Sequence, residues 1–79
     1  MTSYLRHLND ILSEAGIVLT PTNSIKIDQI LHDIMGEKDE ELKTAPENII
    51  FAKIQAEIID PNFRNWLIDE VRKRYLEKV

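Results

Sequence analysis

The segment 44–60 is the most apolar run of the chain, and it limits the folds that this sequence can adopt. On a helical period of 3.6 residues its apolar side chains fall on two separate faces. One face holds Ala45, Ile49, Ala52, Ala56 and Ile59, and the other holds Ile50, Phe51, Ile54 and Ile58. A surface helix normally shows one apolar stripe, so two stripes predict that this helix is covered on two sides. We therefore expect it to lie at the centre of the core.

Residues at both ends of this segment indicate where the helix begins and ends. Thr44 followed three residues later by Glu47 fits a capping box, and Pro46 is tolerated in a first helical turn. At the other end, Asp60 and Pro61 stop the helix and begin the next one, because Asp60 can cap a helix that has Pro61 at its first position. The sequence therefore predicts a third helix over 45–59, with a sharp corner after it.

Two further helices precede this segment, and each is followed by a glycine. The first is predicted over 3–15 and ends at Gly16, and the second over 21–35 and ends at Gly36. For the second helix, Thr20 is the predicted N-cap and Pro21 the first residue, although Thr22, Asn23 and Ser24 are rival caps. The predicted core positions are Tyr4, Leu5, Leu8, Ile11, Leu12 and Ala15 in the first helix and Ile27, Ile30, Leu31, Ile34 and Met35 in the second.

A fourth helix is predicted over 61–78, with basic side chains concentrated toward its C-terminal end, where the helix dipole favours cations. Its predicted core side chains are Phe63, Leu67, Ile68, Val71 and Tyr75. Segment 17–19 is interpreted as a loop tucked against the core, and the acidic segment 37–43 as a short ordered link anchored by Leu42.

These segments together predict an all-α fold, a compact bundle of four helices with the third helix central. With 79 residues, the range 1–79 is long enough for one domain only. The chain has no cysteine, so disulfides, thiolate metal ligands and thiol nucleophiles are excluded. We also expect a cytoplasmic location, because no segment has the pattern of a signal peptide or a membrane span.

No pattern in the sequence indicates catalysis or a bound cofactor or metal. Asp28 and His32 lie one helical turn apart, as do His7 and Asp10, but two ligands do not make a metal site and solvated pairs of this kind are common. The acidic segment lacks the ligand spacing of a calcium loop, and the serines and glycines belong to no nucleophile or phosphate-binding motif. We predict a protein that is not an enzyme and has no cofactor.

Binding to other macromolecules is the remaining class of function. The net charge of −4 disfavours non-specific binding to nucleic acid, yet the fourth helix has a local excess of basic residues. They are Arg64, Arg72, Lys73, Arg74 and Lys78. A nucleic-acid-binding protein using this helix is therefore the alternative to our first interpretation, which is a small non-catalytic protein-interaction or regulatory module.

Trp66 lies off the predicted core face of the fourth helix, and large aromatic side chains outside a core often anchor an interface. The alternative is that the first helix or the segment 17–19 covers it. We take Trp66, Arg72, Lys73 and Leu76 as candidate partner-binding residues. The partner is a protein, and a second copy of this chain is one candidate, because four short helices offer limited cover for both faces of the third. The competing interpretation is a compact monomer in which the four helices close over both faces.

Overall fold

The computed structural model describes residues 3–77, and in that range the chain forms helices and no strand. This confirms the all-α, four-helix fold class. The elements are a 3-10 helix at Ser3–Leu8 that continues into α1 at Asn9–Glu14, α2 at Ser24–Lys38, a second 3-10 helix at Glu40–Thr44, α3 at Glu47–Glu57 and α4 at Pro61–Glu77. The first and fourth helical segments begin where predicted, and the other helix bounds differ from the predicted ones by one to three residues. Lys78, the predicted end of the fourth helix, lies outside the described residues.

One apolar core joins all four helices, and its side chains are those that the helical periods predicted. All the predicted core positions of the first two helices are buried, as are Phe63, Leu67, Ile68 and Val71 of α4, while Tyr75 is half-buried against the core. Leu42 and Ile17 are also buried, so both connecting segments are anchored as predicted. Among the described residues, no charged side chain lies in this core.

The centre of the core lies on α2, whereas the sequence pointed to the third helix. Five side chains of α2 are buried, but only Ile50 and Ile54 of α3 are. The reason is the arrangement of neighbours: α2 contacts α3, α4 and the second 3-10 helix, so it is covered from several directions. The inner face of α3 packs on the core as predicted, and its other face remains open.

The two glycines have different roles, although both were predicted to end a helix. Gly16 has φ of +78°, and the amides of Gly16 and Ile17 donate to the carbonyls of Ser13 at 2.9 Å and Leu12 at 2.8 Å. This is a Schellman motif, which ends α1 as predicted. Gly36 instead lies inside α2, and a Cβ atom placed there would be 2.8 Å from the Cβ of Lys43. It is therefore the site where the second 3-10 helix approaches α2 closely.

The starts of the helices also depart in part from the sequence patterns. Thr20 and Asn23 form a reciprocal pair, in which the Thr20 amide donates to Asn23 Oδ1 at 2.8 Å and the Asn23 amide to Thr20 Oγ1 at 3.1 Å. This pair has the geometry of a capping box and closes the turn before α2. The Asn62 amide donates to Asp60 Oδ1 at 2.9 Å, so Asp60 caps α4 as predicted. The box predicted at Thr44 is wrong, because α3 begins after Pro46 without a side-chain cap.

Candidate interaction surfaces

The outward side of α4 carries three of the four predicted partner-binding residues. Trp66, Lys73 and Leu76 lie seven and three positions apart, a spacing that places them on one helical face opposite the buried side chains of α4. All three are exposed, and Leu76 is 66% exposed. Arg72 lies at the edge of this surface, which we call the α4 face. The structure therefore groups the predicted residues on one side of the molecule.

Trp66 is partly covered by its neighbours. Its side chain is 37% exposed, and its ring centroid is 5.6 Å from that of Phe63, with an angle of 44° between the rings. The Lys38 ammonium of α2 lies 4.5 Å from the Phe63 centroid and 5.6 Å from the Trp66 centroid. These cation–π contacts hold one side of the indole. These contacts come from Phe63 of α4 and Lys38 of α2, whereas the alternative prediction named the first helix or the segment 17–19 as the cover of Trp66.

The arginines of α4 are engaged in contacts with other parts of the chain. Arg64 pairs with the Glu14 carboxylate, and this hydrogen bond lowers the pKa of Glu14. Arg72 Nη2 donates to the Glu14 backbone carbonyl at 3.1 Å, which satisfies a carbonyl at the end of α1. These contacts fasten the end of α1 to α4.

Arg74 connects α4 to α2. Its Nη2 atom lies 2.7 Å from Glu37 Oε2 and 3.1 Å from Glu70 Oε1. The acidic segment that contains Glu37 thus has structural contacts of its own, since the Asp39 carboxylate also accepts from the Glu41 amide at 3.2 Å. Glu37 thus ties the end of α2 to α4, and Asp39 closes the turn at the start of the second 3-10 helix.

The outward side of α3 is the second exposed surface, and it is mostly apolar. Ile49 is 48% exposed, and Ile59, just beyond the helix, is 83% exposed. Ala52 and Ala56 lie exposed between them, and Lys53 is the charged side chain on the same side. We call this surface the α3 face. It corresponds to one of the two apolar stripes that the sequence showed, except that Ala45 of that stripe is half-buried against the core.

A polar network at the edge of the core joins the first helical segment to α2. The Tyr4 hydroxyl donates to Asp28 Oδ1, and His32 Nδ1 lies 3.3 Å from the same carboxylate oxygen. Burial, the hydrogen bond to Asp28 and the negative charges of Asp28 and Glu47 raise the pKa of Tyr4 far above its usual range. Tyr4 is therefore a neutral donor at physiological pH.

The His32 ring also contacts two backbone carbonyls. Its Nδ1 atom is 2.8 Å from the Asp28 oxygen, and its Nε2 atom is 2.9 Å from the Ala45 oxygen. The sequence placed Asp28 beside His32 but gave no signal for Ala45 or Tyr4, whose contacts depend on the tertiary fold. The other histidine, His7, lies against the Phe51 ring at 5.5 Å between centroids. Within residues 3–77 no three His, Asp or Glu side chains are grouped to hold a metal ion.

Comparisons with known proteins give no further guide to these surfaces. No family model, no curated protein and no solved structure was found to match this chain. In the part of the chain that the structure describes, no helix is both long enough and apolar enough to cross a membrane.

Proposed function

We propose that this protein is a small, non-catalytic protein-interaction module that docks its partner on the α3 face. The observation that carries the proposal is the exposure of Ile49 and Ile59 on either side of Ala52 and Ala56. Exposed Trp66 and Leu76 of the α4 face stand beside the charged side chains of Arg72 and Lys73, whereas the α3 face is mostly apolar. Apolar patches that stay exposed in a folded chain are typical of interaction sites.

The composition of the α3 face supports this proposal. The centre of a protein interface is depleted of charged residues, and Lys53 is the charged residue on this face. Ala52 and Ala56 are small and one helical turn apart, so they allow the backbone of a second helix to approach closely. Ile49 and Ile59 would then pack along the sides of that helix. A helix with an apolar stripe is the partner that fits this surface best.

A second copy of this chain is the first candidate for that helix. Across a two-fold axis, the α3 faces of two copies would meet each other, and each would supply the apolar helix that the other needs. One face of an 11-residue helix is a narrow contact area, so we expect a dimer that dissociates on dilution. A different protein that presents an apolar helix is the other candidate of the same class.

Analytical ultracentrifugation over a wide range of concentrations tests self-association. We expect the mass to rise toward that of a dimer in the unmodified protein and in Leu76→Glu, and to remain that of a monomer in Ala56→Glu. Both substitutions add one negative charge at an exposed position, so Leu76→Glu is a matched control that alters the α4 face instead. Circular dichroism verifies that both variants are folded.

The reverse result would move the docking surface to the α4 face. Loss of the dimer in Leu76→Glu but not in Ala56→Glu would assign the contact to the residues around Trp66 and Leu76. A monomer mass at every concentration would exclude a second copy as the partner.

Nucleic-acid binding through α4 is less well supported than protein binding. Arg64, Arg72 and Arg74 each contact an oxygen of the chain itself, so phosphates would compete with Glu14, Glu37 and Glu70 for them. Lys78 lies outside the described residues. A titration of duplex and single-stranded DNA and RNA at low and moderate salt tests this alternative. Tight, salt-sensitive binding that is lost in the double variant Arg72→Ala, Lys73→Ala would replace our proposal.

The absence of an enzymatic role is part of the same proposal. Both ring nitrogens of His32 face backbone oxygens, which leaves neither directed toward a substrate. The cytoplasmic location likewise stays a prediction from the sequence.

A further inference from the structure

The His32 ring lies between α2 and the segment 39–46, which we call the connector, and it faces a backbone oxygen on each side. These oxygens belong to Asp28, at 2.8 Å from Nδ1, and to Ala45, at 2.9 Å from Nε2. A carbonyl oxygen only accepts hydrogen bonds, and a ring nitrogen donates only when it carries a proton. Both bonds therefore exist together only in the imidazolium form of His32.

Charged groups from α2 favour this cation. The Asp28 carboxylate lies 3.3 Å from Nδ1, and Asp33 follows His32 directly in the sequence. Burial alone lowers the pKa of His32, but the hydrogen bonds to the Asp28 and Ala45 carbonyls and the charges of Asp28 and Asp33 raise it by more. The net result is a pKa above the ordinary histidine value of 6.5.

Other elements also place titratable groups near His32. Tyr4, from the first 3-10 helix, donates to Asp28 and stays neutral. Lys43 and Thr44 of the connector line the same surface depression as His32, and Lys43 is the cation among them. At the start of α3, the negative charge of Glu47 acts on Tyr4. Carboxylates therefore outnumber cations around this ring.

We propose that His32 is a pH-sensitive latch that ties the connector to α2 and releases it when the imidazolium loses a proton. Neutral imidazole has a single N–H. Two oxygens of Asp28 face Nδ1, whereas one oxygen, that of Ala45, faces Nε2. The proton is thus retained at Nδ1, and the Nε2 lone pair is left pointing at the Ala45 carbonyl, where it repels the oxygen instead of donating to it.

The release affects the connection between α2 and α3. Ala45 directly precedes Pro46 and α3, and α3 begins without a side-chain cap, so the contact with His32 contributes to holding this end. Leu42 remains buried and keeps the middle of the connector in place. Deprotonation therefore loosens the last residues of the connector and the first turn of α3 while the rest of the core stays packed.

The sign of the pH dependence follows from the raised pKa. A histidine whose pKa is higher in the folded state than in the unfolded state contributes stability that is fully present below the unfolded value, here 6.5. This contribution is lost as the pH rises through the higher folded value. The latch is therefore closed in mildly acidic solution and opens on the alkaline side of 6.5. This proposal for His32 does not depend on the proposed docking function.

Nuclear magnetic resonance on the intact chain tests the latch in two ways. Nitrogen-15 shifts of the His32 ring report its pKa and tautomer directly. Amide hydrogen exchange at about pH 6 and about pH 8, divided by the intrinsic rates, reports local opening. We compare the amides of Ala45, Ile49 and Ile50 with that of Val71 in α4, which serves as an internal reference.

We expect a His32 pKa above 6.5 and, at higher pH, the tautomer with the proton on Nδ1. Protection of the Ala45, Ile49 and Ile50 amides should fall relative to that of Val71 between the two pH values. The same fall should occur in His7→Gln, and it should be absent in His32→Gln, whose side chain does not titrate.

Three results would overturn the latch. They are a His32 pKa at or below 6.5, the opposite neutral tautomer, or an equal loss of protection in His32→Gln. If His32→Gln does not fold, the ring titration of the unmodified protein still decides the question.

Discussion

The helices α2 and α3 are both rich in isoleucine, yet they bury these side chains to very different extents. In α2 the buried stripe has five members and runs from Ile27 to Met35, whereas α3 buries Ile50 and Ile54 alone. Both α4 and the second 3-10 helix pack against α2, and α3 contacts the core through one side. The apolar content of a helix therefore indicates which side chains can be buried, but the elements that pack against the helix determine how many of them are buried.

The N-terminal ends of α2 and α3 also differ in the contacts that stabilise them. Neither helix has a side-chain capping bond at its N-cap residue, but bonds between Thr20 and Asn23 close the turn directly before α2, and no such pair of bonds is seen before α3 in the described residues. An isolated helix of 11 residues is marginal in water, so α3 depends on contacts with other elements. One of them is the ion pair at 3.7 Å between Lys38 and Glu57.

The largest expected loss of stability comes from a cavity made in α2. Ile34 is fully buried, and Ile34→Ala should lower the free energy of unfolding by an amount in the upper half of about 2–5 kcal/mol. Elements on several sides of α2 limit how far the structure can collapse into the cavity. Urea unfolding measures this change, and Ile25→Ala is the control, because Ile25 lies on the same helix and is 74% exposed. A large loss in the control would contradict the assignment of its side chain to the surface.

Ile54→Ala makes the corresponding cavity in α3. Ile54 is also fully buried, so a loss within about 2–5 kcal/mol is expected, but a smaller one than for Ile34→Ala. With an open outer face, α3 can shift inward and fill part of the space. The same urea titration compares the two variants. If Ile54→Ala were the more costly, α3 would be the centre of the core after all.

Gly36→Ala tests the close approach of the second 3-10 helix to α2. Alanine normally stabilises a helix interior relative to glycine, by about 1 kcal/mol. Here the new Cβ would lie 2.8 Å from Lys43 Cβ and 3.1 Å from Lys43 Cα, and atoms so near the backbone cannot move away freely. We expect a net destabilisation of about 1–3 kcal/mol, as in other overpacked sites. A higher thermal midpoint in Gly36→Ala would show that the connector yields easily.

The smallest expected loss of stability comes from substitutions before the first residues of α2 and α3. Thr20→Ala removes an acceptor at 3.1 Å from the Asn23 amide and should cost about 0.5–2 kcal/mol. Thr44→Ala is the matched change before α3, where no capping bond exists, and it should cost less than about 0.5 kcal/mol. Thermal unfolding followed by circular dichroism compares them. Equal losses would mean that Thr44 stabilises α3 in a way other than by capping.

Local patterns were sufficient to predict the helices and the side chains that they bury. The period of 3.6 residues identified the buried stripes because each stripe needs only residues of its own helix. The roles of Gly16 and Asp60 were also predictable, since both act on the nearest turn. The grouping of Trp66, Lys73 and Leu76 on one exposed face followed from the same helical geometry.

What could not be predicted depends on residues that are distant in the sequence. Gly36 looked like a helix end, because the approach of Lys43 is a feature of the folded chain. Thr44 and Glu47 had the spacing of a capping box, but spacing does not reveal that Pro46 would precede the first helical residue. The contact between Tyr4 and Asp28 spans 24 positions, so no local pattern indicates it.

The fastening of α1 to α4 has a consequence for the order in which the chain can fold during synthesis. Glu14 bonds to Arg64 and Arg72, which follow it by 50 and 58 positions. A ribosome that adds about 5–20 residues per second takes about 3–12 s to cover the longer of these separations. Throughout that interval Leu8 and Leu12, which are buried in the folded chain, have been synthesised, but α4, against which α1 packs, has not. The native core can therefore close only after the last helix has been made, and until then the first helical segment is available to chaperones.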